Sequence, residues 1–193
     1  MKALRIFNLF GLALALNLAA FGAQAQTAST GQVEDFSESA MVVEAAKFLG
    51  ATAESVAEVM DNVFTQYGEP TAVIRGEEVG AAMIFGLRYG RGDVLFKNGQ
   101  SHPIYWRGPS AGIDSGGNAS KSFTLVYGTD NIEDLYRRIG GVDGSAFYVG
   151  GVAVSFLQRD QVVLAPIRVG VGFRAGVSVG YLKFTPESGW FPF

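Results

Sequence analysis

The 193-residue chain has no cysteine and a single histidine, His102. That excludes disulfides, thiolate metal sites and lipid attachment through an N-terminal cysteine. A metal site would have to be built from carboxylates alone, yet the acids are scattered and no D-x-D-x-D-G calcium loop appears. No metal or cofactor is expected. Proline is scarce, at 6 residues, and charge is low, at 17%. Long apolar runs are also rare, and the most prominent lies at the N-terminus. There Lys2 and Arg5 precede the apolar stretch Ile6–Phe21, and Ala23-Gln24-Ala25 supplies an A-x-A site. This is the pattern of a secretory signal peptide, residues 1–25, cleaved after Ala25. A soluble, Sec-exported periplasmic protein without an integral membrane anchor is expected. Loss of Lys2 and Arg5 leaves 13 basic against 18 acidic residues, a net charge of −5. Nucleic-acid binding rests on neutralising phosphates and does not suit that balance.

What the chain has in abundance is glycine, and 21 of its 26 glycines lie in residues 76–193. Before them, residues 26–38 read as a flexible mature N-terminus, followed by two helices. Ser39–Gly50 carries Met41, Ala45, Phe48 and Leu49 on one stripe. Thr52–Tyr67 carries Val56, Val59, Met60, Val63 and Phe64 at helical spacing, with acids on the other side. The bland meaning of this stripe is packing against a sheet. From Ala72 onward the pattern is short strands: Ala72–Arg75, Ala81–Tyr89, Asp93–Lys97, Ile104–Trp106, Ala111–Ser115, Ser122–Tyr127, Ala146–Phe156, Val162–Pro166 and Ile167–Thr185. Turns are expected at Arg91-Gly92, Asn98-Gly99, Gly116-Gly117-Asn118, Gly140-Gly141 and Arg159-Asp160. One inserted helix is expected at Asp130–Ile139, capped by Asp130 and stopped by Gly140. The alternation of Ile167–Tyr181 would make a strand too long for a small domain, so a bend near Arg174-Ala175-Gly176 is expected. Residues 39–193 thus read as one mainly β domain, a small barrel or strongly curved sheet with an N-terminal helical pair. The repeated glycines have two readings: tight curvature, or a bare face that admits a ligand.

Few motifs carry chemistry. Gly108-Pro109-Ser110-Ala111-Gly112 matches G-x-S-x-G, but the residues after it cannot form the helix that a nucleophile elbow requires, and His102 precedes Ser110. Gly170-x-Gly172-x-x-Ala175 lacks the βαβ unit of a dinucleotide site. His102 beside Pro103 reads as a surface residue in a turn. The end of the chain, Trp190-Phe191-Pro192-Phe193, raises an outer-membrane barrel as a remote alternative, against which stand Pro186, Pro192 and the helices. The candidate ligand-binding set is Tyr105, Trp106, Arg107, Asp114, Arg137, Arg138, Arg168 and Arg174. Guanidinium groups beside aromatic rings suit an anionic headgroup or a sugar. The competing reading pairs these arginines with Asp114 or nearby glutamates and places the rings in the core. No catalytic residue is expected.

Several ordered stretches together resemble a known family: Gly86-Leu-Arg-Tyr-Gly-Arg-Gly92, Tyr105–Gly112 with Gly116-Gly117, Leu125-Val-Tyr127, Tyr136–Ser145, Val163–Arg168, Gly170-Val-Gly172, Gly180–Thr185 and Trp190–Phe193. The chain is similar, from about Ala40 to its end, to the envelope integrity protein A (EipA) family of alphaproteobacteria. The resemblance implies a soluble periplasmic protein with a small antiparallel barrel of about eight strands, a role in envelope integrity and no catalytic site. A weaker similarity, over Gly86–Val126 and the last 40 residues, is to SYLF lipid-binding domains. The partner these resemblances suggest is an envelope lipid or polysaccharide.

Overall fold

A computed structural model describes residues 35–82, 85–111, 120–169 and 180–189. The signal segment 1–25, the Gly116-Gly117-Asn118 turn, the centre of the Ile167–Tyr181 run and Trp190–Phe193 lie outside these described residues. Two helices come first, α1 (Glu38–Leu49) and α2 (Ala53–Tyr67). Gly50 ends α1 at φ 73°, returning its N–H to the Ala46 carbonyl, a left-handed stop that favours glycine. Thr52 caps α2 by accepting the Ser55 N–H. The apolar stripe of α2 is buried at Val56, Val59, Met60 and Val63.

Eight antiparallel strands follow: β1 (Ala72–Ala82), β2 (Phe85–Phe96), β3 (Ser101–Ala111), β4 (Ser120–Tyr127), β5 (Arg138–Val149), β6 (Val152–Arg159), β7 (Val162–Val169) and β8 (Tyr181–Thr185). They close into a barrel in the order β1-β2-β3-β8-β5-β6-β7-β4. Closure satisfies the hydrogen bonds that an open sheet edge would leave unpaired. The expected mainly β, eight-stranded barrel with an N-terminal helical pair is the fold.

The barrel separates two apolar cores. The inner core joins Ile74, Val94, Phe96, Ile104, Trp106, Leu164 and Phe184. The second lies between the helices and the outer faces of β1, β4, β6 and β7, where Met41, Val56, Val59, Met60 and Val63 meet Phe123, Leu125, Val154 and Ile167. This explains two kinds of strand. In β4 and β7 six consecutive residues are buried, since barrel interior lies on one side and helix on the other. In β8 burial alternates strictly. The outer faces of β2, β3, β8 and β5 carry Tyr89, Tyr105, Arg107, Lys183 and Arg138. A membrane-spanning barrel is polar within and apolar without, whereas the inner core here is apolar.

Several local expectations are corrected. Arg91-Gly92 is no turn: β1 and β2 pair continuously from Ala72↔Phe96 to Ala82↔Gly86, and Gly76 faces Gly92 in mid-strand. The expected strands 81–89 and 93–97 are therefore parts of one hairpin. Gly140-Gly141 lies within β5, and the expected strand 146–156 is instead the β5–β6 hairpin, turning at Gly150 and Gly151, both with positive φ. The helix expected at Asp130–Ile139 reduces to one 3₁₀ turn, Ile132–Asp134, capped by Asn131 rather than Asp130. Side-chain bonds there favour a turn: Thr129 donates to Asp134 Oδ2 at 2.7 Å, and the Asn131 amide donates to Thr129 Oγ1 at 3.0 Å. Leu135 then enters the inner core as part of the barrel floor. His102 lies in β3, half-buried with its ring edge-on to Phe96, not in a turn. Asn98-Gly99 and Arg159-Asp160 do turn the chain, with Gly99 at φ 86° and Asp160 at φ 55°.

Candidate functional site

Alternation along a strand sends neighbouring side chains to opposite faces. The consecutive candidates Tyr105, Trp106 and Arg107 are therefore divided by the barrel wall. Trp106 points inward and is 4% exposed. Its indole covers β1 and β2 where both are bare: a methyl on Gly90 would lie 2.0 Å from Trp106 Cε2, and one on Gly76 would lie 2.5 Å from its Cη2. The glycines of these strands thus make room for a tryptophan from β3.

The indole nitrogen donates to Glu78 Oε1 at 3.0 Å. Arg168 grips the same carboxylate with two bonds, Nε to Oε2 at 3.0 Å and Nη2 to Oε1 at 2.9 Å, and its Nη1 donates to Ser155 at 3.2 Å. Arg88 adds an ion pair at 3.5 Å. Burial, the largest influence on Glu78, pushes its pKa up. The charges of Arg168 and Arg88, with hydrogen bonds from Arg168 and Trp106, outweigh it and hold the carboxyl below its usual range. A general base would need the opposite shift and a free lone pair, so this cluster is built to stay ionised and fixed. Among the described residues, the lumen beside it is packed with apolar side chains. A void of about 10 Å³ among Ile74, Trp106, Thr124, Pro166 and Phe184 has room for one water at most.

Glu78 was missed in the sequence because the strand was expected to end at Arg75. The register Ile74-Gly76-Glu78, three inward positions in a row, is the signal that marks it. The cluster also takes up two of the candidates, Trp106 and Arg168.

A second group assembles on the outer face. Tyr89 of β2 is opposite Arg107 of β3, Arg107 is opposite Lys183 of β8, and Lys183 is opposite Arg138 of β5. Tyr105 lies opposite Arg91 and Thr185 in the next row. Arg107 donates to Thr185 Oγ1 and to the Gly189 carbonyl, both at 3.4 Å. The Arg138 guanidinium lies 5.0 Å from the centre of the Tyr181 ring. Here Tyr105, Arg107 and Arg138 come together as candidates, with Tyr89, Tyr181 and Lys183 added by the topology. Arg137 belongs to neither group, since it pairs with Asp134 at 3.3 Å beside the 3₁₀ turn. Asp114 and Arg174 lie outside the described residues. Ser110 is in β3, paired with Gly86 of β2. Its backbone is extended strand, not the strand-to-helix turn of a nucleophile elbow.

Comparison with known proteins places this geometry. Residues 34–193 match the family model described as envelope integrity protein A. A solved structure described as a beta-barrel-like, uncharacterized protein from Brucella abortus aligns with a TM-score of 0.75 at 41% identity, covering 83% of this chain and 99% of that one. No curated protein matches the chain. Neither description names a catalytic activity.

Proposed function

The chain belongs to the envelope integrity protein A family, and from that premise we propose a non-enzymatic periplasmic protein that supports the cell envelope by binding one of its lipid or polysaccharide components on the outer surface of the barrel. The signal-peptide pattern of residues 1–25 supports export and release into the periplasm. One observation favours the outer surface over the lumen: among the described residues, side chains pack around Trp106 and Glu78, with a void of about 10 Å³ beside them. A drug-sized ligand needs a pocket of several hundred Å³, far more than this void beside Trp106 offers. A SYLF-like module that admits lipid into a glycine-lined face is less well supported, because Gly76 and Gly90 are covered by the Trp106 ring. Deletion of the gene is expected to sensitise cells to detergents and to cell-wall stress, with resistance restored by the intact chain. A deletion strain that grows like its parent under all such treatments would refute the envelope role.

A further inference from the structure

We infer that the barrel holds one ordered water in its lumen, between the Thr124 hydroxyl of β4 and the Glu78–Arg168 ion pair. The site is the void of about 10 Å³ that Glu78, Thr124 and Arg168 line, with Ile74, Trp106 and Phe184 beside them. A buried water needs about that much room and some two to four polar partners. Thr124 lies opposite Ile74 on one side and Pro166 on the other. Ile74 has an apolar side chain and Pro166 has neither a polar side chain nor an N–H, so neither offers the hydroxyl a side-chain or amide partner. Thr124 is only 6% exposed, and its side chain makes no hydrogen bond among the described residues. A buried hydroxyl without a partner is costly, and a water in the adjoining void removes that cost.

The ion pair has hydrogen-bonding capacity left for it. A carboxylate can accept about four hydrogen bonds. Glu78 Oε1 accepts from the Trp106 indole and from Arg168 Nη2. Its Oε2 accepts from Arg168 Nε, with the looser Arg88 contact at 3.5 Å beside it. A guanidinium has more N–H groups than the three bonds of Arg168 to Glu78 and Ser155 consume.

Water is the occupant that this chemistry selects. The site asks one small group to donate to a carboxylate and to accept from a guanidinium, which neither a bare cation nor a bare anion does. An apolar group would leave the Thr124 hydroxyl unpartnered, and a group larger than one water exceeds the void. Buried polar atoms without a protein partner are where ordered waters are found. Ser122, two residues away on the same face of β4, supplies a contrast. Its Oγ is also buried without a partner, but the residue does not line the void.

The test is crystallography of the protein at a resolution that shows ordered solvent, with deuteron relaxation dispersion in solution to count the waters that stay bound. One water is expected within hydrogen-bond distance of Thr124 Oγ1 and of Glu78 or Arg168. It should be present in the parent and in Thr124→Ser, which keeps the hydroxyl. Thr124→Val removes the hydroxyl and should lose that water, with one long-lived water fewer in solution. Ser122→Ala changes a hydroxyl outside the void and should keep it. A dry void in the parent overturns the inference, as does a Thr124 hydroxyl bonded to a protein group instead. So does a water that persists in the same place in Thr124→Val. If Thr124→Val does not fold, parent and Thr124→Ser still decide, since a dry void in both refutes the site.

Discussion

Replacing Gly90 with alanine forces a methyl group into the Trp106 ring, 2.0 Å from Cε2, 2.2 Å from Nε1 and 2.4 Å from Cζ2. Carbon atoms in good contact are about 3.5–4.0 Å apart, so the ring must retreat by roughly 1.5 Å. It has little freedom to do so. Its nitrogen is bonded to Glu78 at 3.0 Å, its far edge lies against Gly76, and Phe184 packs beside it with ring centres 6.2 Å apart. Overpacking of a tight core costs about 1–3 kcal/mol, and loss of the indole bond to a buried carboxylate adds about 1.5–3 kcal/mol. Gly90→Ala is therefore expected to destabilise the barrel by about 3–5 kcal/mol, roughly 6–20 °C in Tm for a chain of this size. Urea unfolding with thermal melts reads this directly. Gly140→Ala is the matched control: it also lies in a strand, and the nearest atom to its added methyl is 3.9 Å away. It should change stability by less than about 0.5 kcal/mol. The decisive measurement is the double variant Gly90→Ala/Trp106→Phe. If the ring is the obstacle, the two changes couple favourably by about 1–3 kcal/mol. Additive costs, or a Gly90→Ala protein as stable as the parent, would refute the account of these glycines as a seat for Trp106.

Other outcomes follow from single side chains. Glu78→Gln leaves Arg88 and Arg168 without their buried counter-charge and should cost about 3–5 kcal/mol at neutral pH, read from urea midpoints. Because the folded Glu78 pKa is depressed from 4.5, its contribution is fully present above that value and is lost as pH falls through the folded pKa. The gap between parent and Glu78→Gln should therefore close in acid, and a gap independent of pH would count against the ion cluster. The Tyr127 hydroxyl is buried with no hydrogen-bond partner among the described residues, so Tyr127→Phe should be neutral or stabilise by up to about 1 kcal/mol. Burial, with a smaller contribution from Tyr67, raises the Tyr127 pKa from 10.0. The parent should thus lose stability as pH rises above about 10 in a way the variant does not. Thr52→Ala removes the cap of α2 and should cost about 1 kcal/mol, with a smaller effect if Ser55 is changed in the same chain.

How far such features can be read from sequence depends on whether their cause is local. The α2 stripe at Val56, Val59, Met60 and Val63 is set by one helix and is legible, as are strands at Ser122–Tyr127 and Val162–Pro166, but not that helix and lumen bury both faces of them. Gly76, Gly90, Gly92 and Gly140 read as punctuation because the alternation stops at them. What fills the space at Gly76 and Gly90 is Trp106, which arrives from another strand. Hence the end of β1 and Glu78 are hidden together. The candidate set erred in a different way. Tyr105, Trp106 and Arg107 were grouped by adjacency, although a strand must send the middle residue to the other face. Lys183 was visible in the alternation of Tyr181-Leu-Lys-Phe-Thr185, but its place between Arg107 and Arg138 depends on β8 joining β3 to β5, which one sequence does not specify.

Because β3 carries Trp106 inward and Arg107 outward, lumen and face are open to separate tests. Closed ladders on both sides hold the β3 backbone, with strands about 4.8 Å apart. Loss of the indole should thus loosen the interior without displacing the outer row by much. Trp106→Phe is expected to lower stability by about 1.5–3 kcal/mol, since Glu78 loses a buried donor, while the outer row of β3 stays in place. If Trp106→Phe abolished binding of an envelope component while the protein stayed folded, the ligand would have to reach the lumen. The packed interior would then be a closed state of a barrel that opens, and the outer row a bystander.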